Sequence, residues 1–283
     1  SRSFNIAFDE EDPKRKQEFK SWVSSAIEAI KQGPLQKVVL SRTDVKELPA
    51  GFSILSALEE LAAAYPNAFV CAISIPALSG VWMCATPEIL VEQKDGVFRT
   101  ISLAGTQSGV DDQGNALSPA QARWSQKEIE EQAFVSRYII DCFKKIRLRE
   151  YTELGPKTIS TGNLLHLKTE YIVDTKAMDF PQLPGLMLSL LHPTSAVCGT
   201  PKQEAIEFIL KTETHDRSMY SGYLGPVNID GNTHLFVNLR TVKITGNQAE
   251  FYAGCGITED SDPEKEWQET QMKCQTLQRV LMQ

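Results

Sequence analysis

The sequence predicts an α+β fold, and three observations carry that expectation. Short apolar runs between Phe69 and Ser102 are joined by turns too tight for parallel crossovers, so those strands pair antiparallel. Helices with their own start signals stand between groups of strands rather than alternating with single strands, which speaks against a doubly wound parallel sheet. No Pro-, Gly- or Ser-rich linker divides the 283 residues. Residues 1-283 therefore read as a single domain, with residues 1-33 as a leading helical segment.

The elements follow in order. Asp12-Pro13 starts a helix, an N-cap followed by proline at the first helical position, and Phe19, Trp22, Val23, Ala26, Ile27 and Ile30 then recur at helical spacing. Gly33-Pro34 stops it. A strand from Lys37 to Val45 puts Lys37, Val39 and Ser41 on one face and Val38 and Leu40 on the other. A second helix is expected from Ser53 to Ala64, ended by Tyr65-Pro66. Phe69–Ile75, Val81–Cys84, Ile89–Glu92 and Val97–Ser102 are expected to form the antiparallel meander. Ser118-Pro119 is expected to open a long helix reaching Arg149, and Thr158 to Val173 is mixed and extended. Thr200-Pro201 starts a helix to Lys211. Strands are expected at Ser221–Ile229, His234–Ile244 and Gln248–Tyr252, and Asp262-Pro263 begins the last helix.

Composition narrows the function. Lys and Arg total 29 against 36 Asp and Glu, a net charge of −7. A nucleic-acid binder would carry a basic face, so no such partner is expected. The hydrophobic share of 42% and charged share of 23% are those of an ordinary globular chain, which argues against disorder. Ser1 to Glu10 lacks a basic region followed by an apolar one, so no signal peptide is read there. The most apolar stretch, Leu183 to Leu191, is far short of the roughly 20 residues that cross a bilayer. No membrane partner and a cytoplasmic location are expected. Six cysteines without a C-x-x-C pair read as buried, reduced thiols.

Several residues could do chemistry. Glu128 and Glu131 lie three apart on one helix, and Glu266 and Glu269 three apart on another, so each pair shares a face. Two such faces meeting would make a hard oxygen site suited to Mg²⁺; apart, they are solvated helix surface. Lys37 is odd in a Val- and Leu-rich strand. It is either a snorkelling edge residue or a desolvated amine able to act as a base. Glu88, after Thr86-Pro87, is a turn carboxylate or a general acid. Gly105-Thr106 and Gly254-Cys255-Gly256 each follow a strand and either turn the chain or let an anion reach backbone N–H groups. Arg240, in an apolar strand, needs an anionic partner from the protein or from a ligand. The histidines at 166, 192, 215 and 234 form no zinc pattern.

Taken together, these segments resemble the chorismate-utilising enzymes: the isochorismate, salicylate, anthranilate and aminodeoxychorismate synthases. The resemblance is carried by Lys37-Val38-Val39-Leu40-Ser41-Arg42, Ala85-Thr86-Pro87-Glu88-Ile89-Leu90, Leu103-Ala104-Gly105-Thr106, the segment around Glu131, and the run from Leu191-His192-Pro193-Thr194 to Thr200-Pro201. It continues through Gly222-Tyr223-Leu224-Gly225 and Asn238-Leu239-Arg240 to the tail from Tyr252-Ala253-Gly254 through Trp267-Gln268-Glu269-Thr270 to Lys273. The family fold implied is one α+β domain of two stacked large antiparallel sheets with helices packed outside. Members often carry a further N-terminal portion that is short or absent here, which implies a trimmed or compact member.

The resemblance also implies roles. Glu131 and Glu269 match the family's metal-binding glutamates, with Glu128 and Glu266 as water-mediated ligands, and the cofactor implied is Mg²⁺ gripping the ring carboxylate of chorismate. Arg240 would bind the enolpyruvyl carboxylate; Lys273, Gly254 and the backbone near Cys255-Gly256 would help hold carboxylates. His192, Thr106 and the neighbouring Gly105 would lie close to the ring, and Tyr220 beside the substrate. Lys37 matches the lysine that activates water in isochorismate and salicylate synthases, and Glu88 matches the general acid. Anthranilate synthases have glutamine at the Lys37 position, so no glutaminase subunit is expected. Aminodeoxychorismate synthases use a lysine where Ala104 stands, which closes that covalent route. The implied reaction is Mg-dependent attack of water at C2 of chorismate with loss of the C4 hydroxyl. Its alternatives are salicylate synthesis, which adds pyruvate elimination, and a silent chorismate-binding paralogue. Gln132 stands where the family often has histidine, and Cys255 where alanine is common. A monomer is expected, as is usual in the family. Menaquinone and siderophore routes stay equally open.

Overall fold

The computed structural model describes residues 12–111, 113, 115–161 and 164–283; residues 1–11 of the expected leading segment lie outside them. Asp12 caps helix α1 (Pro13–Gln32) by accepting from the N–H groups of Lys14 and Arg15 at 3.0 and 3.3 Å. Phe19, Val23, Ala26 and Ile27 form its buried face at the helical period. Strand β1 (Lys37–Glu47), helix α2 (Ile54–Ala64) and the meander β2 (Phe69–Ser74), β3 (Val81–Thr86), β4 (Ile89–Lys94), β5 (Val97–Ser108) follow. Helix α3 (Gln126–Lys145) leads to the hairpin strands β6 (Thr152–Thr161) and β7 (Leu164–Asp174), then to α4 (Leu183–Leu191), β8 (Gly199–Thr200) and α5 (Lys202–Thr212). Strands β9 (Tyr223–Leu224), β10 (Thr233–Val237), β11 (Thr241–Thr245) and β12 (Gln248–Ile257) precede α6 (Pro263–Leu281), which Asp262 caps.

Four expectations need correction. The long helix starts at Gln126, not at Ser118-Pro119, because two capping boxes stand in series. Ser118 and Gln121 close only a single tight turn, Ala122 is extended, and Ser125 with Glu128 makes the box that opens α3. It ends at Lys145, short of Arg149, with Arg147 in the left-handed region at φ 58°. Gly105-Thr106 and Gly254-Cys255-Gly256, expected to follow strands, lie inside β5 and β12, because both strands run on past their expected ends. Of the expected strand Ser221–Ile229, Tyr223–Leu224 is the stretch that forms a strand, with an isolated bridge from Ile229 to Asn232. The expected strand His234–Ile244 is two strands in different sheets, broken at Arg240, whose φ is 48°.

The strands form two six-stranded sheets, ordered β2-β3-β11-β12-β1-β8 and β6-β7-β5-β4-β10-β9, and every pairing is antiparallel among the described residues. Helices α1, α2, α5 and α6 pack on the first sheet, and α3 and α4 on the second. Stacked rings of Phe69 and Phe236, 4.6 Å apart, join β2 of one sheet to β10 of the other. The segment Asn238-Leu239-Arg240 is the chain's crossing from the second sheet to the first, so it lies where the sheets meet. No helix among the described residues is long and apolar enough to cross a membrane.

Candidate active site

A cavity lies between the two sheets. Its first wall comes from the central pair β1–β12. Val38 and Leu40 pack with α1 and α5, which turns Lys37 and Val39 into the cavity, as the strand alternation requires. Lys37 is 1% exposed, and its ammonium lies 3.5 Å from Glu131 Oε1. Burial pulls the Lys37 pKa below its ordinary value, against the opposing charge of Glu131. Gly256 faces Val39 across the ladder, and a Cβ there would overlap Glu131 Oε1 and crowd Lys37 Cε at 2.8 Å. Glycine at this position is what lets the lysine and the carboxylate meet.

The second wall is irregular by design of its register. Ala104 pairs with Leu167 and Gln107 with Leu165, so Gly105 and Thr106 together oppose His166, a β-bulge. Gly105, at φ 69°, takes the left-handed conformation open to glycine. His166 Nδ1 donates to the freed Gly105 carbonyl at 2.8 Å, and Nε2 accepts from Arg240 at 3.0 Å. Burial, with Arg240 beside it, pushes the His166 pKa down to about 3, so the ring is neutral. His166 thus holds the Arg240 guanidinium at the sheet crossing, facing the cavity. Sequence reasoning left His166 aside, since one histidine in an apolar strand carries no pattern.

Helices α3 and α6 bring the carboxylates. Glu131, Glu266 and Glu269 are all buried. Lys273 donates to Glu269 Oε1 and to the Gly254 carbonyl, both at 2.7 Å. Lys127, not singled out from the sequence, places its ammonium 2.8 Å from Glu266 Oε1 and 3.8 Å from Glu269 Oε2. Burial works against both partners' charges, yet Lys273 and Lys127 hold the Glu269 carboxyl down to about 2. Glu266, with weaker compensation, is pushed by burial up to about 7.

Glu88 also lines the cavity, directly after Thr86-Pro87 at the end of β3. It is 3% exposed, and burial pushes its pKa up to about 7, only partly offset by Arg240, Lys37 and Lys273. The same cavity is lined by Thr106, Tyr220, Gly254 and Lys273. Four expected residues do not line it: Glu266 and Glu269 are buried on α6 against Lys127 and Lys273, and two more lie elsewhere. Glu128 turns back to cap α3, accepting from the Ser125 N–H at 2.7 Å. His192 follows α4 and stands edge-on to Tyr223 at 4.9 Å, outside the cavity lining.

Among the described residues no three His, Cys, Asp or Glu side chains converge into a ready-made metal cage. Mg²⁺ does not need one, since it usually takes one or two carboxylates and fills its shell with water and substrate oxygens. Glu131 Oε2 and Glu266 Oε2 are buried with no hydrogen-bond partner. Such orphan oxygens are costly, and free hard oxygen donors, that of Glu131 at the cavity wall, fit a divalent cation. The free oxygens of Glu131 and Glu266 are donors of the kind Mg²⁺ takes; Glu269 is bonded to Lys273, and Glu128 is engaged in its cap.

Residues 2–282 match the family model described as "Chorismate binding enzyme". The chain is 30% identical over 287 residues to isochorismate synthase EntC of Escherichia coli, covering 99% of this chain and 71% of the relative. It is 28% identical over 263 residues to the vibriobactin-specific isochorismate synthase of Vibrio cholerae, covering 92% and 66%. The chain thus spans about two thirds of the length of the curated relatives it matches. The solved structure of MenF, the menaquinone-specific isochorismate synthase from Escherichia coli, superposes with a TM-score of 0.78 at 27% identity, over 95% of this chain and 61% of that one. Anthranilate synthase component I from Streptococcus pneumoniae shares the fold, with a TM-score of 0.76 at 22% identity over 93% and 57%. With two stacked antiparallel sheets, a cavity between them and a match running almost end to end, the chain belongs to the chorismate-binding enzyme family.

Proposed function

We propose that the protein is an isochorismate synthase, adding water at C2 of chorismate and expelling the C4 hydroxyl. One observation carries this reading: a buried lysine with a lowered pKa and a buried glutamic acid with a raised one face the same cavity. An amine that can be neutral accepts a proton from water. A carboxyl that is still about half protonated at pH 7 can donate one to a leaving hydroxyl. Tuning in opposite directions is how a site runs base and acid chemistry together. Lys37 is the base and Glu88 the acid in this assignment. Arg240, held by His166, would bind a substrate carboxylate in bidentate fashion. Lys273, whose ammonium already bridges Glu269 and the Gly254 carbonyl, would add positive charge nearby.

Glu131, Glu266 and Glu269 would hold Mg²⁺, which when bound supplies positive charge for the ring carboxylate and for charge developing in the ring. The names of the relatives support the activity, and the cytoplasm is the compartment proposed for it. The test is incubation of the purified protein with chorismate and Mg²⁺, followed by chromatographic separation of products. Isochorismate alone, lost on adding EDTA, is expected. Salicylate with pyruvate would replace this reading by a salicylate synthase. Unconverted chorismate, still bound, would replace it by a silent relative.

A further inference from the structure

The chemistry proposed above leaves two thiols unused. Cys71 lies on β2, the edge strand of the first sheet, and is partly exposed. Cys84 lies on the neighbouring β3 and is 1% exposed. The two are direct partners in the antiparallel register, on the strand face that also carries Phe69 and Trp82, and their Sγ atoms lie 3.5 Å apart. Directly opposed residues of an antiparallel pair hold their Cα atoms about 4.5–5.5 Å apart, inside the range of about 4.4–6.8 Å that a disulfide spans. Closing a bond of about 2.05 Å asks the sulfurs to approach by about 1.5 Å. The hydrogen bond to Cys84 holds the Cys71 pKa below its ordinary value, and the same bond, together with burial, raises that of Cys84. The reachable thiol is therefore the one that ionises. Among the described residues no other two thiols are in hydrogen-bond contact.

β3 also connects this pair to the cavity. Cys84 pairs with Thr241, the residue after Arg240, and the Ala85 N–H donates to the Arg240 carbonyl at 3.1 Å. Past Thr86 and Pro87 the same segment delivers Glu88. A shift of β3 is felt by both Glu88 and Arg240.

We propose that Cys71 and Cys84 are an oxidation site, at which a hydroperoxide closes a cross-strand disulfide that slows the reaction proposed above. The Cys71 sulfur takes the terminal oxygen of the hydroperoxide; the O–O bond breaks, and the alcohol leaves with the thiol proton. The Cys84 sulfur then attacks the Cys71 sulfenic acid; the S–O bond breaks, and water leaves with the second thiol proton. Two thiols lose two electrons, and the hydroperoxide is reduced to alcohol and water.

The test treats the reduced protein with tert-butyl hydroperoxide, alkylates the remaining thiols, digests without reductant and maps the peptides by mass spectrometry. A linked Cys71–Cys84 peptide pair is expected, with the thiol titre of the denatured chain lower by those two groups. Chorismate turnover is expected to fall at least about threefold, since a misplacement of about 1 Å can cost a reaction far more, and to return with dithiothreitol. Cys71→Ser is expected to form no linked pair and to keep its rate through the same treatment. Absence of the linked peptide, or oxidation of Cys71 to the sulfinic acid instead, overturns the site. Linkage with an unchanged rate overturns the coupling through β3. The map needs no activity, so its failure is distinct from a failure of the proposed reaction.

Discussion

Glu88 and Glu269 are the same side chain, both buried beside one cavity, and they sit at opposite ends of the carboxyl range. Glu88 is pushed up to about 7 and Glu269 held down to about 2. Burial raises both, so burial does not explain the difference. Contact does. Lys273 donates to Glu269 at 2.7 Å, with Lys127 at 3.8 Å on its other oxygen. Among the described residues Glu88 forms no ion pair; Arg240, Lys37 and Lys273 reach it only through space. One carboxyl at the cavity therefore holds a proton, while the α3–α6 cluster is a fixed lattice of carboxylates and ammonium groups. Acid–base work belongs to the first and anion or cation binding to the second.

The largest effects test that division directly. Lys37→Gln and Glu88→Gln are each expected to lower kcat by about 10²–10⁴-fold, the range removed with a general base or acid. Circular dichroism should stay near wild type, which separates a lost rate from a lost fold. A rate within a few-fold of wild type for either variant would remove it from the acid–base pair. In the lattice the expected effect is on stability. Lys127→Met leaves buried Glu266 without its ion-pair partner and Glu269 with Lys273 alone, and breaking such a buried pair costs about 3–5 kcal/mol. Urea denaturation in EDTA measures it, and an unchanged midpoint would mean that the lysine does not hold the cluster.

The proton on Glu88 makes a pH prediction of known sign. Its folded pKa is about 7 against an ordinary 4.5. The folded protein therefore binds a proton that the unfolded chain has released across this window. Its contribution to stability is full below pH 4.5 and is lost as pH rises to 7, by about 3 kcal/mol. Glu88→Gln should flatten the stability profile between those values relative to wild type. Turnover should fall as pH rises through about 7, because the acid form is the one that donates. A wild-type rate still climbing well above that pH would assign the acid elsewhere.

Much of this was legible in the sequence, and what was not has physical reasons. Lys37 stood out because an alternating strand has no other use for a cation on its inner face, and β1 places it there. Arg240 was legible as a residue needing an anion. Its place at a sheet crossing went unread, although the alternation changes phase there: Leu235, Val237 and Leu239 are apolar at odd positions, and Val242 and Ile244 at even ones. Helix spacing put Glu128 and Glu131 on one face, but spacing does not say which carboxylate the helix end will claim for its own N–H groups. Helix α4 was hidden by Pro184 and Gly185 in its first turn, residues that punctuate as often as they begin a helix.

The two histidines sharpen the same lesson and give the smallest expected effect. His192 sits in a conspicuous Leu-His-Pro-Thr run, while His166 sits in an apolar strand with no motif of its own. The register bulge of β5 makes His166 the group between the Gly105 carbonyl and the Arg240 guanidinium. His192 only stacks edge-on against Tyr223, and its carbonyl accepts from Lys202 at 2.6 Å. His192→Ala removes a partly exposed ring contact of about 1 kcal/mol and should leave kcat/KM within about threefold of wild type. His166→Ala frees Arg240 and should raise KM for chorismate well beyond that, because a bidentate carboxylate contact depends on a held guanidinium. Measured side by side, a large loss at position 192 with none at 166 would reverse the assignment. A motif in the sequence would then have located the site more truly than the strand register does.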